Sequence, residues 1–192
     1  MTTLVVNGVF AMNIIVLCVL LLCSALISGA EVAMFGLSTT EIKELQDEKT
    51  AKSAILIKLL ERPKKLLATI LIANNAINIG VVLLFSVIGD TLFENVNQIL
   101  FGVVSVRFLL EVVVATFLIL MFGEILPKVY ANRNRMSFSH LMAFPLRILD
   151  FIFSPLSLPM RSGTLFLYNK LGKQKSNLSI DHLSQALDLT SQ

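Results

Sequence analysis

Cysteine, histidine and charged residues are all scarce in this sequence. Its 192 residues include two cysteines, two histidines and only 15% charged side chains. Cys18 and Cys23 lie five apart in one apolar run, a spacing that indicates neither a disulfide framework nor a zinc-ligand motif. An enzyme acting within the membrane would need a nucleophile and a base to activate it. The sequence shows neither a Gly-x-Ser-x-Gly motif nor a membrane-embedded His or Asp pair. We therefore expect no enzymatic activity.

Apolar residues dominate instead. They make up 55% of the chain, and the mean hydropathy is +0.79, far above that of an ordinary soluble domain of this size. The net charge of +3 does not point to nucleic acid, because basic residues in a membrane protein usually flank its spans. The composition predicts an integral membrane protein whose partner is the lipid bilayer, with no nucleic-acid partner.

Three apolar runs are long enough to cross a bilayer, and we predict spans at about 4–37, 66–89 and 99–131. The second run is uncharged, and its 24 residues would form a helix of ~36 Å, against a hydrocarbon core of ~30 Å. The first run lacks a basic flank at its start, which favours a retained span over a cleaved signal peptide.

Two further segments are expected at the membrane surface. Residues 38–62 mix charges with spaced apolar positions, and Ser38 and Glu41 have capping-box spacing, which predicts an amphipathic helix or a helical hairpin. Residues 141–160 are apolar but contain charges and three prolines, which favours an interfacial or re-entrant segment over a fourth span.

The expected fold class is an all-α integral membrane protein with three transmembrane helices, amphipathic juxtamembrane helices and a cytoplasmic belt. We assign residues 1–170 to the transmembrane domain. Residues 171–192 are polar and are interpreted as the start of a cytoplasmic linker in a fragment of a longer protein, with the downstream domains absent.

The basic residues predict the orientation. Only Arg107 falls toward one side of the membrane, and the rule that positive charges lie inside therefore places the N-terminus outside and the C-terminus in the cytoplasm of a multi-pass cell-membrane protein. The remaining basic residues all fall on the other side: Lys43, Lys49, Lys52, Lys58, Arg62, Lys64, Lys65, Lys128, Arg133, Arg135, Arg147, Arg161, Lys170, Lys173 and Lys175.

Polar side chains within the spans form the candidate site. Ser24 and Ser28 share one helix face, as do Asn74 and Asn78, because each pair is four residues apart. Glu124 is expected at a depth similar to that of Asn74, provided that its helix continues through the following proline. Hydroxyl, amide and carboxylate oxygens suit a hard cation such as magnesium or calcium, and ligand type does not exclude sodium.

Each of these residues also has a structural interpretation. Asn in a span often holds helices together, and small residues often mark close helix packing. Lys128, one turn after Glu124, could neutralise that carboxylate. A proline at position 127 lacks an N–H and would free the carbonyl of Gly123 in a continuing α-helix.

Three ordered stretches, SALISGAEVAMFGLSTTEIKEL, LIANNAINI and FGEILPKVYA, resemble the transmembrane domain of the cyclin M/CorC family of magnesium transporters. The resemblance runs from about Ser24 to Met160. Ala30 and Ala73 depart from it, at positions where a small hydroxyl residue and a glycine are expected.

The resemblance implies a homodimer of three-span protomers with a cytoplasm-facing cavity. It further implies a magnesium ion held by Ser24, Ser28, Asn74, Asn78 and Glu124, and export coupled to sodium entry. Nucleotide would bind only to CBS modules downstream, which this chain lacks. The alternative is a non-transporting membrane scaffold or cation sensor that regulates other proteins.

Overall fold

The computed structural model of the protein describes residues 2–93, 99–100 and 104–154. The chain divides into two compact units, Met1–Ile152 and Phe153–Gln192, and the helices and the site described below belong to the first. The expected linker at 171–192, the boundary at residue 170 and the end of the segment predicted at 141–160 lie outside the described residues.

Three long helices run through the first unit. Helix α1 spans Thr2–Phe35 and α4 spans Pro63–Leu92. The third begins with α5 (Val106–Leu118), passes through a π-helical segment (Ile119–Ile125) and ends with α6 (Leu126–Arg133). By length and apolarity the stretches that could cross a membrane are Gly8–Phe35, Pro63–Leu92 and Val106–Arg133. The prediction of an all-α membrane protein with three spans is confirmed.

The third span begins later than the sequence predicted. Residues Ile99–Leu100 (β1) and Val104–Ser105 (β2) form a short antiparallel pair, and the helix starts only at Val106. Ser105 caps it, since its hydroxyl accepts a hydrogen bond from the Phe108 N–H at 3.2 Å. The predicted start at residue 99 is wrong because Ile, Leu and Val fit a buried strand and a membrane helix equally well.

The π-helical segment ends at Ile125, two residues before Pro127. There the Leu126 N–H donates to the Met121 carbonyl, five residues earlier, in place of the four-residue step of an α-helix. A proline ring within an α-helix would clash with the carbonyl four residues before it, and a wider turn relieves that clash. The helix therefore continues through Pro127 to Arg133. This continuation is the condition under which Glu124 is expected to lie deep in the membrane.

The charged stretch after α1 folds as two short helices, α2 (Thr39–Asp47) and α3 (Ala51–Leu60). At the start of α2 the predicted capping box is present. Ser38 Oγ accepts from the Glu41 N–H at 3.2 Å, and the Ser38 N–H donates to Glu41 Oε2 at 2.7 Å. The hairpin form of the prediction is therefore the one observed.

Helix α7 (Arg135–Ile152) contains the described part of the predicted belt and packs against α1, α3 and α4. Its Phe138 ring fits against Gly29 of α1, where a Cβ would lie 2.6 Å from Phe138 Cζ. At its far end Asp150 Oδ2 lies 2.7 Å from Lys65 Nζ of α4. Helix α7 is amphipathic and is not among the spans identified in the described residues.

The three spans pack together through a set of buried apolar side chains, called here the apolar cluster. It joins the middle of α1 to the second half of α4 and to the third helix, and its buried members are Leu17, Val81, Phe85, Ile88, Ala115 and Ile119.

Candidate cation site

Ser24 connects the first span to the second. Its side chain is completely buried, and its hydroxyl lies 2.8 Å from Asn78 Oδ1 and 3.3 Å from Asn74 Oδ1. A serine hydroxyl has one proton, so it donates to one of these oxygens at a time. The shorter distance favours Asn78. Ser24 thus explains why both amides face the interior of the bundle.

Asn78 extends the connection to the third span. Its Nδ2 atom donates to Glu124 Oε1 at 3.3 Å, while its Oδ1 atom accepts from Ser24. One amide thus uses its oxygen toward α1 and its nitrogen toward the π-helical segment. The structure therefore joins Ser24, Asn74, Asn78 and Glu124 by hydrogen bonds. The sequence predicts Glu124 at the depth of Asn74, and its hydrogen-bond partner is instead Asn78, one turn further along α4.

Ser28, the fifth predicted residue, lies one turn beyond Ser24 on α1. Its side chain is 1% exposed, and its Oγ atom has no hydrogen-bond partner among the described residues. A buried hydroxyl without a partner costs about 1–3 kcal/mol, so a ligand that contacted Ser28 would recover that loss. Ser28 shares the face of Ser24 but is not joined to the other four residues.

Gly123 allows the third span to approach Ser24 closely. A Cβ at this position would lie 2.8 Å from Ser24 Oγ, which is shorter than ordinary contacts permit. The sequence points only to the Gly123 carbonyl, beside Pro127, and does not indicate this steric role. Only a contact between two spans reveals it, and no spacing within one motif could have done so.

Lys128 does not neutralise Glu124. Its Nζ atom lies 3.2 Å from Glu31 Oε2 on α1, and in the described part of the chain Glu124 forms no ion pair. The structural interpretation that paired Lys128 with Glu124 is therefore wrong. The partly buried carboxylate faces the Asn78 amide without a cation beside it.

The chemistry of the site is that of neutral oxygens around one carboxylate. No group of three or more His, Cys, Asp or Glu side chains occurs among the described residues, so the site does not have the ligands that zinc or copper prefer. Asn75 is exposed on another face of α4 and lies outside the site, as its position predicts. Hydroxyl, amide and carboxylate oxygens fit a hard cation.

Comparison with known proteins places these motifs in a family. Residues 15–192 match the family model described as the cyclin M transmembrane N-terminal domain. The chain is 33% identical over 173 residues to a UPF0053 protein of Haemophilus influenzae, covering 88% of this chain and 39% of the relative. It is 30% identical over 139 residues to the UPF0053 protein sll1254 of Synechocystis, covering 72% and 37%.

A third relative is the UPF0053 inner membrane protein YfjD of Escherichia coli, 28% identical over 150 residues, with 78% of this chain and 32% of the relative covered. The chain thus spans less than two fifths of the length of each of these curated relatives.

Proposed function

This chain belongs to the cyclin M transmembrane domain family, and from that premise we propose that it transports a divalent cation, magnesium, across the membrane. The observation that supports this most directly is the hydrogen-bonded connection from Ser24 through Asn78 to Glu124, which links all three spans at one depth. Amides in a membrane interior are costly, and here the Asn78 amide donates to a carboxylate that has no basic partner in the described residues.

In the proposed complex the cation is the transported substrate. Glu124 supplies the negative charge, and the Oδ1 atoms of Asn74 and Asn78 select for size. The Ser24 and Ser28 hydroxyls complete the set of oxygen ligands. Magnesium ordinarily keeps several waters, so we expect the ion to lose only part of its hydration shell at this site.

The transport cycle is proposed as export, with sodium entering in exchange. The positive-inside rule predicts that the C-terminal side of the bundle faces the cytoplasm. For export, the ion enters from that side and leaves when the spans rearrange to open outward. The functional unit is proposed to be a homodimer. Exposed apolar residues such as Ile79 and Leu83 on the outward face of α4 suit contact with lipid or a second copy.

Magnesium efflux from proteoliposomes tests the proposal. Glu124→Ala and Glu124→Gln should both abolish saturable, sodium-dependent efflux, while the assembled protein keeps the same size in gel filtration. Glu44→Ala is the matched control, since Glu44 is an exposed carboxylate on α2. Unchanged efflux in both Glu124 variants would refute the assignment.

The alternative functions give different results in the same preparation. A cation sensor would bind magnesium saturably in isothermal titration calorimetry but would transport none. A membrane scaffold would do neither.

A further inference from the structure

A second group of polar residues lies where α4 ends and α5 begins, away from the candidate cation site. This is the side of the membrane on which the sequence predicts a single basic residue, Arg107. Arg107, in the first turn of α5, forms ion pairs with Asp90 in the last turn of α4 and with Glu111 one turn further along α5. The Arg107 Nε to Glu111 Oε1 distance is 2.8 Å. One guanidinium thus connects two helices.

Glu111 is the unusual member of this group. It is 7% exposed, and its carboxylate lies against Gly89 of α4, where a Cβ would be 2.6 Å from Glu111 Cδ. Asp90 has a side chain that is 70% exposed, so its pair with Arg107 contributes little alone. Burying an ionised carboxylate is tolerated only with a partner, and Arg107 is that partner.

The apolar cluster lies between this group and the candidate cation site. Asn78 and Gly89 are eleven residues apart on α4, which is close to three turns, so they share a face and are separated by ~16 Å. Val81, Phe85 and Ile88 occupy the turns between them, and each is at most 5% exposed. A hydrated ion at Glu124 would have to pass this layer to leave on the far side.

We propose that Asp90, Arg107 and Glu111 form an outer latch that holds α4 against α5 above the apolar cluster and keeps the outer end of the bundle closed. Arg107 is the positioning residue. Without it, the buried Glu111 carboxylate is left uncompensated, which is strongly destabilising. We expect α5 to move away from Gly89 so that water reaches the carboxylate. That movement exposes the apolar cluster to the outside.

The latch rests on the proposed function only in that magnesium is the ion released when it opens. Its opening can be measured without a transport assay. Cys18 and Cys23 are free and can be replaced by alanine. In that background a reporter cysteine is introduced by Ala115→Cys or, in a second protein, by Val114→Cys, since both positions pack in or against the apolar cluster. A membrane-impermeant maleimide is then added outside sealed proteoliposomes.

With Arg107 intact, both reporters should react slowly. Arg107→Gln should raise their labelling rates about tenfold or more, since the minor state of a two-state protein is typically ~0.1–10% populated. Arg107→Gln combined with Glu111→Gln should restore slow labelling, because a neutral amide needs no counter-charge. Arg133→Gln is the control for loss of a basic residue, as Arg133 is exposed at the other end of the third span.

Thr91→Cys, exposed at the end of α4, should react rapidly from outside in every background. The latch is overturned if Arg107→Gln leaves both reporters protected, if the double variant stays as reactive as the single one, or if Thr91→Cys reacts only from the inside. If the parent protein shows no magnesium efflux, the proposed transport is refuted, while the labelling result still tests the latch. If the parent protein transports magnesium but Arg107→Gln does not change the labelling rates, the latch alone is refuted.

Discussion

Gly123 of the third span lies directly against the hydroxyl of Ser24 in the first, so closely that a single added methyl group would come within 2.8 Å of that oxygen. The contact fixes how near the two helices approach. Because Ser24 also orients the Asn78 amide, the spacing at Gly123 decides whether the oxygens of three spans converge.

Gly123→Ala should therefore weaken magnesium binding. The new methyl group displaces Ser24 and breaks its 2.8 Å hydrogen bond to Asn78, and we expect affinity to fall about tenfold, which corresponds to ~1.4 kcal/mol. Isothermal titration calorimetry measures the change. Gly80→Ala is the matched control, since a Cβ there would meet its nearest neighbour, Leu20 Cδ1, at an ordinary 3.6 Å. Equal losses in the two variants would contradict a specific role for Gly123.

Asn78→Ala should impair binding more than Asn75→Ala. Asn78 has partners on both neighbouring spans, and removing it takes away one proposed oxygen ligand together with the contacts to Ser24 and Glu124. Ser24 keeps Asn74 as an acceptor at 3.3 Å, so the main loss is the connection to Glu124, and we expect affinity to fall about tenfold, which corresponds to ~1.4 kcal/mol. Asn75 is exposed, and its replacement should leave affinity and efflux unchanged. The two variants make the same chemical change at positions three residues apart on α4. Similar effects from both would exclude the proposed site.

The sequence predicted much of this arrangement, because the spacing of Ser24 and Ser28, and of Asn74 and Asn78, follows from helix periodicity alone. The prediction that Glu124 reaches α4 needed only the helix rise and the length of the apolar runs. What periodicity cannot supply is which atoms meet between spans. The Ser24–Gly123 contact and the pairing of Lys128 with Glu31 depend on how the helices rotate against one another.

Lys128→Gln should leave magnesium affinity nearly unchanged. Its ammonium group binds Glu31 rather than Glu124, and a partly exposed pair of this kind contributes up to about 1 kcal/mol of stability. Thermal unfolding in detergent should show that small loss, and calorimetry should show no gain in affinity. A marked increase in affinity would mean that Lys128 competes with the cation for Glu124, contrary to the observed pair.

The capping box of α2 should respond to pH. The backbone N–H of Ser38 donates to Glu41 and holds the pKa of that carboxyl below its usual 4.5, with the Ser38 hydroxyl adding to the effect. A lowered pKa in the folded state means that the stabilisation is fully present above about pH 4.5 and is lost as pH falls through the lowered value.

Hydrogen exchange of the α2 amides, corrected for intrinsic rates, measures this change. Protection should fall below pH 4.5 in the parent protein, while Glu41→Gln should show weaker protection with no such pH dependence. Ser38→Ala should reduce protection at all pH values, by about 1 kcal/mol. A parent protein whose protection is independent of pH would contradict the role of Glu41.

The late start of the third span and its π-helical segment were beyond sequence reasoning for a different reason. An apolar run such as Ile99–Leu126 has no polar period from which to distinguish strand from helix. Pro127 indicates that the α-helical hydrogen bonding is interrupted, but a kink, a freed carbonyl and a wider turn are all compatible with the missing N–H. The structure adopts the wider turn, and this turn packs against α1.

Helix α7 is attached at both ends. Near its start Arg135 Nη1 donates to the Gly36 carbonyl at the end of α1, at 2.6 Å, and near its end Asp150 binds Lys65 at the beginning of α4. Its 18 residues span about 27 Å at ~1.5 Å per residue, with Pro145 in the interior of the helix. The two contacts make α7 a brace that ties the end of α1 to the beginning of α4, so the distance between these two helix ends is set by the length of α7.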